Sequence, residues 1–293
     1  MSEQPALPEK RVTAFNLLAA VAVMVAIQLV ALVITSQNLP LYTSVDGSSG
    51  YSYAFAGTSL VGSAVNALIL VGFAFVLTLL LVWLLKRKMV TSFKVLIFGS
   101  VAISAFILTM VTADLFALDF LPPALELPVA LGVPTLVVVA IGYVIFVKNI
   151  PWLSTVILAF VGAQVGSFFA ETLSPWTALA LPIAFSVYDI YAVFRGPLKA
   201  LIGTAPNIAL VGISIKAGEF TIGLGDVVFY TLLPSLALFQ LFPKFGLLPA
   251  ALTIAAIDAG MVVTLYLLSK RRLLPGLPIP MLLGVLVIAG FLI

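Results

Sequence analysis

The chain has 293 residues, 63% of them apolar and 9% charged, with a net charge of +3 and neither cysteine nor histidine. A soluble domain carries about 25% charged residues, so this is the composition of a polytopic membrane protein. The missing residue types exclude a disulfide framework, a thiol nucleophile, the HExxH zinc site and any Ser-His pair. Chemistry is left to Asp, Glu, Lys, Ser, Thr and Tyr, or to an external cofactor.

A bilayer crossing takes roughly 20 apolar residues, and about nine segments qualify. Lys10 and Arg11 precede an apolar run of roughly 23 residues, longer than the 7–15 of a signal h-region. It reads as a retained first span, Val12–Thr35. The second runs from about Ser59 to Leu85, the third over Val95–Thr112 and the fourth over Leu127–Val147. Asn149-Ile150-Pro151 breaks the chain before a fifth that ends near Ala170; the sixth is Trp176–Phe194. The last three are Leu224–Phe242, Leu247–Ser269 and Pro278–Ile293. The fold class is therefore an all-α polytopic membrane protein, read as a single membrane domain over 1–293.

The connections differ in kind. Ser36–Thr58 is Gly/Ser-rich and polar, as a mobile outer loop would be. The inner connection, 195–223, holds Gly196-Pro197, Gly203, Ala205-Pro206-Asn207 and Gly212, too many breakers for one helix. Its second half, Leu210–Lys216 then Glu219–Ile222 around Ala217-Gly218, reads as two short strands or as an amphipathic loop lying on the membrane.

With the N-terminus cytoplasmic, thirteen of the 14 basic residues fall on the inner side and only Lys244 on the outer. That asymmetry is what the positive-inside rule expects, and it sets an N-in, C-out topology. The runs Lys86-Arg87-Lys88 and Lys270-Arg271-Arg272 serve as topology determinants, with anionic-lipid contact as a secondary role. Nucleic acid is not an expected partner.

Carboxylates inside spans are costly and mark function by default. Asp189 lies about six residues before Arg195, on a helix running inward; Asp226 starts the next helix, running outward. At 1.5 Å per residue both fall within roughly two turns of the inner boundary. Two close carboxyls cannot both ionise cheaply, so one serves as acid and the other as base. That is the requirement of peptide hydrolysis by an activated water. Gly223 and Gly225 flank the second aspartate; they either admit a close backbone and unusual dihedrals or merely end the loop.

At these residues the chain resembles the presenilin and signal peptide peptidase group, the GxGD intramembrane aspartyl proteases. Ser186-Val-Tyr-Asp-Ile-Tyr-Ala-Val193 with Gly196-Pro197-Leu198 is similar to the family's sixth span and its exit. Gly223-Leu-Gly-Asp-Val-Val-Phe-Tyr230 is similar to the start of its seventh. Leu274-Pro275-Gly276-Leu277-Pro278-Ile279 resembles its Pro-Ala-Leu motif, with Gly276 where alanine is usual. The resemblance implies a presenilin-like nine-span fold, catalytic Asp189 and Asp226, and support from Tyr188, Gly223, Leu224, Gly225, Pro275, Gly276 and Leu277. It implies neither metal nor cofactor. Orientation places the chain on the presenilin side, with transmembrane proteins of type I orientation as substrates. The short inner loop suggests an uncut chain without obligatory accessory subunits, with a homo-oligomer possible.

Other polar residues have simpler readings. Asp258, mid-way along the eighth span, faces the bundle as a structural group or as part of a proton or water path. Glu126 and Glu171 are expected at the outer interface, and Asp114 and Asp119 in an outer loop. Gln28, Asn66 and Gln164 serve interhelical hydrogen bonding. The main rival function is an ion- or proton-coupled transporter using Asp189, Asp226 and Asp258, but no repeat is visible and the two best carboxylates sit near one face. A Ser-Lys hydrolase lacks a lysine within a span. A prepilin-type peptidase would match at the second aspartate only, and a passive leak remains a secondary activity.

Overall fold

The computed structural model describes residues 13–43, 59–148, 150–195, 212–270 and 274–292. The described helices are α1 (Ala14–Thr43), α2 (Leu60–Lys86), α3 (Val90–Phe120), α4 (Pro123–Gly142), α5 (Pro151–Thr172), α6 (Pro175–Phe194), α7 (Leu224–Phe245), α8 (Leu248–Lys270) and α9 (Pro278–Leu292). The first eight are long and apolar enough to cross a membrane; α9 is apolar but covers only 15 residues. At 1.5 Å per residue, α9 spans about 22 Å, short of the roughly 30 Å hydrocarbon core.

The helix starts follow local chemistry. Ser59 caps α2 by accepting from the Gly62 N–H at 3.1 Å, and Ser174 caps α6 by accepting from Thr177 at 3.3 Å. Pro151 and Pro175 open α5 and α6, where the missing proline N–H costs nothing. At its far end α4 relaxes into a π turn, Tyr143–Val147.

Helix α7 forms the centre. It packs against α5, α8, α1, α9 and α6, and Thr231–Leu238 are buried without interruption. Gly162 and Gly166, one turn apart on α5, let it approach: an added Cβ would lie 2.7 Å from Val227 Cγ1 at Gly162 and 2.8 Å from the Val228 oxygen at Gly166. This is the small-xxx-small packing by which membrane helices gain contact without a hydrophobic drive. Polar contacts reinforce the layer, since Ser167 donates to the Ala31 oxygen at 2.9 Å and Thr231 lies 3.3 Å from the Gly162 oxygen. The pairs α3–α4 and α2–α6 form the flanks.

The connection between α6 and α7 ends in a hairpin. Strands β1 (Ser214–Ala217) and β2 (Phe220–Gly223) pair antiparallel, with Ser214 opposite Gly223 and Ala217 opposite Phe220. Gly218 takes φ +62 at the first turn position, as a type II′ hairpin requires. The turn rests on the first turns of α1, 3.5 Å from the Asn16 oxygen measured from an added Gly218 Cβ. Residues 196–211, including the motif Gly196-Pro197-Leu198, lie outside the described residues.

Two expectations need correction. Helix α3 continues to Phe120, so Asp114 and Asp119 are helical rather than loop residues. Good helix formers carry the backbone on past the point where hydropathy falls. Helix α1 likewise continues to Thr43, past the expected loop start at Ser36. Glu171, in the last turn of α5, is buried and accepts from the Asn38 amide at 2.9 and 2.8 Å. The extra turns of α1 bring that amide to it.

Candidate active site

Asp189 sits in the last turns of α6, and Asp226 in the first turn of α7, directly after β2. Both are half-buried, and they lie within Coulombic reach of each other. What draws them together is the segment leading into α9. The Leu277 N–H donates to Asp189 Oδ2 at 3.1 Å. One residue earlier, a Cβ built on Gly276 would lie 3.0 Å from Asp226 Oδ2. The two carboxyls thus both abut one dipeptide, Gly276–Leu277, in the bend before α9. A backbone amide is committed to one carboxyl, and the other is approached so closely that a side chain would press on it.

That dipeptide is itself held. Tyr230, one turn beyond Asp226 on α7 and buried, donates its hydroxyl to the Gly276 oxygen at 3.0 Å. Behind it, Gln28 of α1 donates to the Tyr230 oxygen at 3.3 Å. Gly260 of α8 admits the start of α9, because an added Cβ there would stand 2.7 Å from the Pro280 Cα. Leu277 is buried and Pro275 half-buried. Tyr230, Gln28 and Gly260 were not singled out as site residues from sequence. Only Tyr230 had a local signal, its spacing of four from Asp226.

The remaining support residues fall in different places. Tyr188 points into the α2 interface, where its hydroxyl donates to Thr78 at 3.0 Å and its ring meets Phe75 and Phe185 edge-on. Leu224 packs toward α5, where its Cδ1 lies 3.2 Å from a Cβ built on Gly162. Its N–H donates to the Ile213 oxygen at 2.8 Å, which welds the hairpin to α7. Gly223 caps α7 with ordinary extended dihedrals, and its added Cβ would meet only the Asp226 carboxyl, at 3.4 Å. Gly225 is exposed and a Cβ there meets nothing within 4 Å. The close backbone approach expected at Gly225 is therefore absent among the described residues; the close approach is at Gly276.

Asp258 stands apart from this pair. It is buried on α8 with Gln28 as its hydrogen-bonding neighbour, and its Oδ1 has no partner. Gln164 accepts from Thr109 at 3.0 Å and Asn66 reaches Thr177 at 3.5 Å, both across helices.

A presenilin family model matches residues 12–209, a stretch that includes Asp189 and stops before Asp226. Presenilin-B of Dictyostelium discoideum is 38% identical over 125 residues, covering 39% of this chain and 25% of that protein. A presenilin homolog of Drosophila melanogaster is 33% identical over 147 residues, covering 48% of this chain and 26% of that protein. The chain thus spans about a quarter of the length of these curated relatives. Among solved structures, a presenilin family intramembrane aspartate protease superposes with a TM-score of 0.63 at 19% identity, over 94% of this chain and 98% of that one. At that identity the likeness shows the fold.

Proposed function

The chain belongs to the presenilin family, and from that premise we propose that it is an intramembrane aspartyl protease acting through Asp189 and Asp226. The observation that carries the proposal is the sharing of Gly276–Leu277 by the two carboxyls. Carboxyls held against one short segment can divide the labour of hydrolysis. The ionised one takes a proton from water as its oxygen attacks the scissile carbonyl carbon. The protonated one donates to the carbonyl oxygen, and the tetrahedral species collapses as the leaving amine is protonated. The Leu277 amide steadies Asp189 throughout, so the pair keeps its orientation as the proton changes hands.

The substrate is proposed to be a single transmembrane helix of type I orientation. Thirteen basic residues on one side favour an N-in chain, and the starts of α1, α5 and α7 gather with the hairpin at that end. A helix hides its peptide bonds, so it must be extended before cleavage. The outer edge of β2 pairs with no described strand, whereas Lys216 of β1 already donates to Thr155 at 3.0 Å. An unwound substrate would add to β2, three residues from Asp226.

The test is cleavage of a type I single-span substrate by purified protein, with products located by mass spectrometry. Wild type should yield products ending within the span, and Asp189→Asn and Asp226→Asn none. Equal cleavage by folded wild type and variants would refute the assignment.

A further inference from the structure

Helices α2 and α3 are joined by a turn of three residues, yet beyond it they part, α2 leaning on α6 and α3 on α4. The turn is tightly built. Arg87, Lys88 and Met89 donate to the Trp83, Leu85 and Leu84 oxygens at 2.9–3.0 Å, and Lys88 takes φ 59. The V between the helices is a groove of about 380 Å³ lined by Leu80, Leu84, Thr91, Ser92, Val95 and Leu96. Its walls are apolar along the helices, and Thr91 and Ser92 place hydroxyls near its apex. Lys86, Arg87, Lys88 and Lys94 lie within a few residues of that apex without lining the groove, the first three exposed, and there is no acidic residue in the first turn of α3. Trp83 lies under the Arg87 guanidinium, 5.8 Å from it, half in contact with the surroundings.

We propose that this groove is a binding site for one anionic phospholipid, its phosphate among the four cations and the Thr91 and Ser92 hydroxyls, its acyl chain along Leu80, Leu84, Val95 and Leu96. Charge and shape choose the same occupant. An apolar cavity whose one end carries two hydroxyls and adjoins a run of exposed cations fits an amphiphile whose head is negative. A free phosphate would leave the apolar arms uncovered. A neutral lipid would leave four like charges crowded at the apex. The site is independent of the carboxyl pair and would stand even if the chain proved not to be a protease.

Trp83 supplies the probe. In a Trp152→Phe, Trp176→Phe background it is the one remaining tryptophan. Brominated phosphatidylglycerol, titrated into phosphatidylcholine vesicles, should quench it well beyond its mole fraction, with about fivefold preference over brominated phosphatidylcholine. Lys88→Gln with Lys94→Gln should bring the ratio close to one. Val95→Phe, which fills the groove and keeps the charges, should lower quenching by both lipids; unchanged emission in plain phosphatidylcholine confirms folding. Equal quenching by the two lipids in wild type would overturn the proposal, as would a preference that survives the charge changes. Full competition by soluble glycerol phosphate would assign the site to a free phosphate instead.

Discussion

Gly276 offers the sharpest test of how the carboxyls are held. Replacing it with alanine, the residue usual in the motif it resembles, puts a Cβ 3.0 Å from Asp226 Oδ2, 3.4 Å from its Cγ and 3.6 Å from Oδ1. Such contacts require the carboxyl to yield by a few tenths of an ångström. It can do so, since the Gly225 side is open. Gly276 does not take a positive φ, so alanine itself is unstrained there. The loss should therefore appear in chemistry rather than folding. A misplacement of 1 Å costs on the order of 100-fold, so a shift of about 0.3 Å costs roughly fourfold. We expect kcat of Gly276→Ala to fall about three- to fivefold, with KM unchanged and stability within about 0.5 kcal/mol of wild type. Steady-state cleavage of a fluorogenic transmembrane peptide, beside denaturant titration in mixed micelles, measures both. An unchanged or higher kcat in folded protein would refute the claimed approach of this segment to Asp226.

Three further expectations rest on other contacts. Tyr230→Phe removes the donor to the Gly276 oxygen and should cost about 1 kcal/mol of stability, with a larger proportional loss of kcat than of substrate affinity; equal kcat would detach Tyr230 from the site. Gly166→Ala drives a methyl toward the Val228 oxygen, a backbone atom that cannot swing away, and should destabilise by about 1–3 kcal/mol in mixed-micelle unfolding; a neutral result would mean α5 and α7 pack less closely than described. Thr221→Pro removes a donor from the outer edge of β2, so cleavage should fall while an inhibitor directed at the carboxyl pair still binds. Unimpaired turnover would argue against strand addition.

The parts of this molecule legible in sequence were those that local pattern determines. Hydropathy located the spans, and Gly218 between two short alternating runs located the hairpin, though β1 is shorter than its run and β2 is shifted by one residue. Asp189 and Asp226 stood out because a carboxylate in an apolar span is expensive. What escaped was set by partners distant in the chain. Nothing near Glu171 announces Asn38, 133 residues away, and nothing near Gly276 announces a tyrosine 46 residues earlier. Glycines misled for the same reason. Gly225 sits in the recognisable motif but meets open space, whereas Gly162, Gly166 and Gly260 lie in unremarkable apolar runs and set helix distances. The end of α3 was missed because polarity, which hydropathy reads, is not what ends a helix.

The join between hairpin and helix fixes an angular phase. No residue separates Gly223 of β2 from Leu224 of α7, and the Leu224 amide is still spent on the hairpin. The direction of Asp226 is thus counted in residues from the strand edge. Adding or deleting one residue between them would turn the carboxyl by about 100° and slide it about 1.5 Å along the axis. Side-chain substitutions in the hairpin can be absorbed by local repacking, but a change of length cannot. Across homologous chains, the residue count from the strand edge to this aspartate should therefore be invariant even where the identities in between are not.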